Sequence, residues 1–176
     1  KLIMNPTDEF ILEAFKQQEI LSEEMLAEIV SEVESEGESL IGDKDLAIMN
    51  GVLAKTGMPE HEVANYLSSE LNMDAVDLSS LNPTEEIINL LTPEWARKYE
   101  AFPIGVSGSE IEVVFGNPLD QDGYDNLTHL LGKMINPKVA YRGTVLSAID
   151  EAYGAAEDRK MQDFFGASSN DDIEIG

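Results

Sequence analysis

The 176-residue chain contains no cysteine, two histidines and one tryptophan. Without cysteine there are no disulfides, no thiolate metal sites and no thiol nucleophile, which fits a reducing compartment. No apolar run reaches the roughly 18 residues of a membrane span, and Lys1 to Glu9 lacks the apolar segment of a signal peptide. A cytoplasmic protein without direct membrane insertion is expected. Basic residues are also scarce, eleven against 35 acids, for a formal charge of -24. Repulsion from phosphate therefore argues against nucleic acid as a partner and favours a basic one. The acids are densest over Lys1–Asp74, where 17 face four bases. General solubility explains such a distribution equally well.

Catalytic signatures are missing too. The Gly132-Lys133 pair is followed by Met134 and preceded by Leu127 where a phosphate-binding loop needs its first glycine. His61 and His129 fall on different expected helices, with no serine elbow nearby. Asp120, Asp122, Gly123 and Asp125 resemble part of a calcium loop but lack its closing glutamate, and helix capping accounts for two of the acids. Pairs such as Glu23-Glu24 and Glu85-Glu86 sit in first helical turns, where the macrodipole favours them. No catalytic residue, cofactor or metal site is assigned.

What is present is periodic. Thr7 or Asp8 can cap a helix carrying Phe10, Ile11, Ala14 and Phe15, and Ser22 can cap a second carrying Leu26, Ile29, Val30 and Val33. The stretch Glu34 to Gly42 supplies a loop. A third helix starts at Asp43 and ends at Gly57, and Pro59 opens a fourth with Val63, Tyr66, Leu67 and Leu71 inward. At an offset of 37 the two pairs match: Ile11 with Ile48, Leu12 with Met49, Phe15 with Val52, Leu26 with Val63, Ala27 with Ala64, Val30 with Leu67. Two hairpins with one apolar face each must bury those faces together.

After Met73 the pattern changes. A short extended segment near Ala75 precedes helix starts at Asn82-Pro83-Thr84-Glu85 and Thr92-Pro93-Glu94, with Trp95 and Tyr99 expected in the core. Ala101–Val106 and Glu110–Phe115 alternate around Ser107-Gly108-Ser109 as a hairpin. Helix Asp122–Leu131, strand Lys138–Tyr141 and helix Thr144–Tyr153 follow. The expected class is α+β: a helical subdomain over 1–74, a small α/β subdomain over 75–154 with a three- to four-stranded sheet, and an acidic linker or tail over 155–176.

The run Leu91-Thr92-Pro93-Glu94-Trp95-Ala96-Arg97-Lys98-Tyr99, then Phe102-Pro103-Ile104, then Ile111-Glu112-Val113-Val114-Phe115-Gly116-Asn117-Pro118-Leu119-Asp120, resembles the N-terminal domain of the type II secretion and type IV pilus assembly ATPases. The likeness continues through Asp125-Asn126-Leu127 and Ile149-Asp150-Glu151-Ala152-Tyr153-Gly154, and Ile20-Leu21-Ser22-Glu23-Glu24-Met25-Leu26 is similar to the family's helical repeat. In that family the nucleotide-binding engine lies downstream. The resemblance implies a bacterial, non-catalytic docking domain that binds the cytoplasmic domain of an inner-membrane platform protein and is peripheral to the membrane through it. A basic partner is placed at Glu23, Glu24 and Glu28. A second branch binds cyclic di-GMP through two repeats, each with an arginine, close-approach glycines and a final glutamine. Here Phe10 stands at the first arginine position, Leu12 and Glu19 at glycines and Val33 at the glutamine; in the second copy Gly57 survives and Glu70 falls near the glutamine. Bulky and acidic groups at those places argue against cyclic di-GMP. A cyclic di-GMP-sensing module, or a stand-alone adaptor, is the alternative reading.

Overall fold

A computed structural model describes residues 4–36 and 43–154. The first element, α1 (Pro6–Gln17), is capped by Asn5, whose side chain accepts from the Asp8 amide at 3.0 Å, and Pro6 occupies the first turn. The cap therefore lies upstream of the Thr7 or Asp8 expected. Both of those residues are inside the helix and 1 % exposed, used for tertiary contacts. Helix α2 (Glu23–Glu36) starts behind Ser22, whose Oγ accepts from the Met25 amide at 3.1 Å. Helix α3 (Lys44–Thr56) is capped by Asp43 and closed by Gly57 at φ +73°, and α4 (Glu60–Leu71) follows with Pro59 as its N-cap. Most of the loop expected over Glu34 to Gly42 lies outside the described residues.

The repeat appears in the packing. Ile11 and Ile48, Leu12 and Met49, Phe15 and Val52, Leu26 and Val63 are all buried in one cluster formed by the four helices. Burying a large aliphatic side chain is worth about 1.5–3 kcal/mol, so these four matched pairs stabilise both hairpins, whereas Ala27 is exposed and Val30 half-buried although their matches Ala64 and Leu67 are buried. Val139 and Tyr141, from the second half of the chain, complete this cluster.

The second half opens with β1 (Asp74–Ala75) and a 3₁₀ turn, Leu78–Ser80. Helix α5 (Glu85–Ile88) is capped by Thr84 rather than Asn82, and α6 (Pro93–Tyr99) by Thr92. Strands β2 (Ala101–Ser107) and β3 (Glu110–Phe115) form the hairpin, α7 (Gln121–Leu131) ends at Gly132, and β4 (Ile135–Val139) leads into α8, residues 142–154. The sheet runs β1-β4-β3-β2, parallel except for β2 against β3. β4 begins three residues before the expected Lys138. Pro137 is tolerated within it because β1 pairs only with Lys138 and Val139, leaving the proline's flank without a ladder to break. Val113, Val114 and Phe115 are all buried, as in a strand covered on both faces. A second cluster gathers them with Leu91, Leu127, Ile149 and Tyr153, while Trp95 and Tyr99 are half-buried at its margin. The expected tail over 155–176 lies outside the described residues.

Candidate functional site

The helical front meets the α/β half around one side chain. Arg142, at the start of α8, is 5 % exposed. Its Nε donates to Glu100 Oε2 at 2.6 Å and its Nη2 to Glu100 Oε1 at 3.0 Å, a two-pronged pair of the geometry guanidinium prefers. Nη2 also meets Asp43, the cap of α3, and Nη1 lies 3.7 Å from Asp8 Oδ2. Asn5 donates from Nδ2 to Asp8 Oδ2 at 2.6 Å and to Asp45 Oδ2 at 3.2 Å. The Thr7 hydroxyl donates to Asn117 Oδ1 and accepts from the Leu119 amide at 3.2 Å, tying α1 to the turn after β3. Glu100 holds φ +50°, a left-handed backbone uncommon for a residue with a side chain, at the point where α6 turns into β2.

The electrostatics follow from burial. Removal from water pushes the Asp8 carboxyl up to about 6, outweighing the Asn5 hydrogen bond and Arg142, and Asp45 and Asp43 push the same way. Burial also acts against the charge on Arg142, but the hydrogen bonds it donates to Glu100 and Asp43 more than reverse that and hold the guanidinium raised. Asp8 Oδ1 and Arg142 Nη1 are buried without a hydrogen-bond partner.

Beside this junction a cleft of about 600 Å³ opens at the carboxyl ends of β1 and β4, lined by Glu60, His61, Asn65, Asp77, Tyr141 and Thr144 among others. Clefts in sheets of this kind form where neighbouring strand ends diverge. The Thr144 hydroxyl donates to Glu60 Oε2 at 2.7 Å and the Tyr141 hydroxyl to Asn50 Oδ1 at 2.8 Å, so its walls are joined across the two halves. Burial raises the Tyr141 phenol, with Asp8 and Glu60 adding to it, which keeps it a hydrogen-bond donor at neutral pH.

Glu23, Glu24 and Glu28 are exposed on α2. Glu23 pairs with Lys16 at 3.1 Å and Glu28 with Lys55 at 3.0 Å. His61 and His129 are exposed and far apart in the chain's order, on α4 and α7. Asp120 caps α7 by accepting from the Gly123 amide at 3.1 Å, and no group of three or more potential ligands among the described residues could hold a metal ion. Of the repeat positions, Phe10 stacks on Tyr66 with centroids 5.8 Å apart, linking α1 to α4, while Leu12 and Val33 are buried in the bundle core. Glu19 has φ +61° and Gly57 φ +73°, so both helix-ending turns keep a left-handed residue even where one lacks glycine. The Arg142 cluster was not assigned from the sequence. Its available signal was the Asn5-Pro6 start, which relieves Asp8 of capping, together with the rarity of arginine in an acidic chain.

Three comparisons bear on identity. The MshEN domain family model matches residues 71–159. The type IV pilus assembly ATPase PilB of Myxococcus xanthus (strain DK1622) is 30% identical over 124 residues, 70% of this chain and 22% of PilB. The chain thus corresponds to about a fifth of that relative. Solved structures of MshE with cdg, the cyclic dinucleotide cyclic di-GMP, and of the N-terminal domain of XpsE each superpose with a TM-score of 0.53 at 18% identity; both cover 85% of this chain, and 100% and 97% of theirs. These likenesses show the fold. They also correct the partner reading: setting cyclic di-GMP aside conflicts with a fold shared with a cyclic di-GMP complex and with the MshEN match. Glu19 differs from glycine in bulk and charge, yet its backbone retains the glycine-like turn. With the α+β architecture, the repeat and the turn after β3 in place, the chain belongs to the MshEN family, the N-terminal domains of type II secretion and type IV pilus assembly ATPases.

Proposed function

We propose that this chain is the non-catalytic regulatory module of a type IV pilus assembly or type II secretion ATPase, and that cyclic di-GMP is its ligand. The observation that carries the reading is membership in the MshEN family together with the fold shared with MshE in its complex with cdg. The PilB match points the same way for the whole protein, in which ATP hydrolysis would reside outside this segment. Docking on a membrane platform, which the family resemblance suggests and for which charge and the apolar stripes of the front helices point to a surface around Glu23, Glu24 and Glu28, ranks below it.

A ligand with two phosphates needs cations. The described lysines of the helical front are Lys16, Lys44 and Lys55, paired with Glu23, Glu34 and Glu28 at 3.1, 3.2 and 3.0 Å. Entry of the ligand must compete with those acids. Calorimetric titration of the chain with cyclic di-GMP should therefore give saturable binding that tightens a few-fold in Glu28→Gln, which removes the nearer of the two acids on Lys55 and leaves Glu32 at 3.9 Å; exposed pairs of this kind are worth about 0.2–1 kcal/mol. Absence of heat and of amide shift changes at millimolar ligand would overturn the proposal.

A further inference from the structure

The junction around Arg142 holds more negative charge than it can pair. Asp8 from α1, Asp43 from the cap of α3 and Glu100 from the end of α6 converge on one guanidinium, and Asp45 joins the cluster through Asn5, which donates to both Asp8 and Asp45. With all four ionised the cluster carries three uncompensated charges. It is nonetheless where the halves are joined, since Thr7 of the same turn binds Asn117 and the Leu119 amide. The geometry also shows where the excess bears. Asp8 is 1 % exposed, its Oδ1 has no hydrogen-bond partner, and its Oδ2 stands 3.7 Å from an Arg142 nitrogen that is itself without one. A buried carboxylate in that position is costly, and a proton is the smallest group that removes the cost.

We propose that the Asp8–Arg142 cluster is a proton-operated latch between the helical front and the α/β half, tighter when Asp8 is protonated. Protonation leaves Arg142 to Glu100 and Asp43, ends the repulsion between Asp8 and Asp45, and lets Asp8 remain buried as a neutral acid. The groups facing Asp8 are Asn5 on its own turn, Asp43 and Asp45 from α3, and Tyr141 and Arg142 at the start of α8. None of these acids or the phenol offers a positive charge, so Arg142 is the sole cation among them. The inference is independent of cyclic di-GMP binding.

The sign is fixed by the direction of the shift. Asp8 binds its proton more tightly folded than unfolded, so its contribution to stability grows as pH falls through about 6 and is lost as pH rises through the same range. A rise from 3.8 to about 6 corresponds to roughly a hundredfold in the folding equilibrium between pH 7.5 and pH 3.8. The decisive measurement is the carboxyl-carbon titration of Asp8 in the intact chain by NMR, with the amides of Leu119 and Asp45 followed in parallel. The expected result is a midpoint near 6 at Asp8 and the same midpoint at amides on both sides of the junction. A midpoint near 4, or a response confined to Asp8, would overturn the latch. Asp8→Asn, a neutral isostere, should be more stable than the wild type at pH 7.5 and lose the extra gain on acidification to pH 5. An unchanged pH slope in that variant would likewise overturn it.

Discussion

Glu19 and Glu100 show how much a single backbone torsion matters in this chain. Each carries a side chain in the left-handed region, at φ +61° and +50°. At Glu100 the two-pronged contact with Arg142 offsets the strain. Glu19 is exposed where α1 turns toward α2, and only its backbone is engaged, its amide donating to the Lys16 carbonyl at 3.1 Å. Replacing Glu19 by glycine should therefore stabilise the fold by about 0.5–1 kcal/mol, the relief of a left-handed residue less the added freedom of the unfolded chain. Chemical denaturation reads this directly, and a loss of stability would show that the Glu19 side chain has a role beyond its torsion. The sequence identified Glu19 as a departure from glycine; the positive φ that makes the departure consequential is visible only in the folded chain.

At the scale of elements, the helical hairpins depend on close approach. Gly51 of α3 lies against Ile29 of α2, and a methyl group added there would sit 2.8 Å from Ile29 Cγ2. Ile29 is 2 % exposed and held in the bundle core, so it cannot yield freely. Gly51→Ala gains about 1 kcal/mol of helix propensity but meets an overpacking cost of about 1–3 kcal/mol, and a net loss of about 1 kcal/mol is expected. A rise in the thermal midpoint would mean that α2 and α3 move apart without cost. Periodicity located these helices because 3.6-residue spacing is a local property. It could not show that Gly51 is a contact point, since the partner lies 22 positions earlier in the chain. The same limit displaced the start of β4: Pro137 reads as a breaker locally, and only the shortness of β1 makes it acceptable.

For the whole molecule, the charge of -24 is a repulsive field that the described ion pairs relieve only in part. Lys16, Lys44, Lys55 and Lys138 each meet an acid at 3.2 Å or less, leaving most carboxylates facing water. Moving from low to moderate salt, from about 0.02 to 0.3 M, shortens the screening length several-fold and should raise the thermal midpoint. A fall would mean that the surface pairs outweigh the net repulsion. This screening effect is distinct from the latch, whose central pair, Asp8 and Arg142, is buried and responds to pH.

The sequence alone determined the two helical hairpins, the β2–β3 hairpin, the α+β class and the family, because helical period, turn chemistry and the Gly116-Asn117-Pro118-Leu119-Asp120 run are all local. It also determined the excess of acid. Tertiary structure decided where that excess becomes costly. Asp8, Asp43, Asp45, Glu100 and Arg142 are separated by up to 134 positions and meet only because the bundle core takes in Val139 and Tyr141 from the strand that leads into α8. Burial at that meeting point, which no linear pattern encodes, pushes the carboxyl of an ordinary helix-turn aspartate up to about 6.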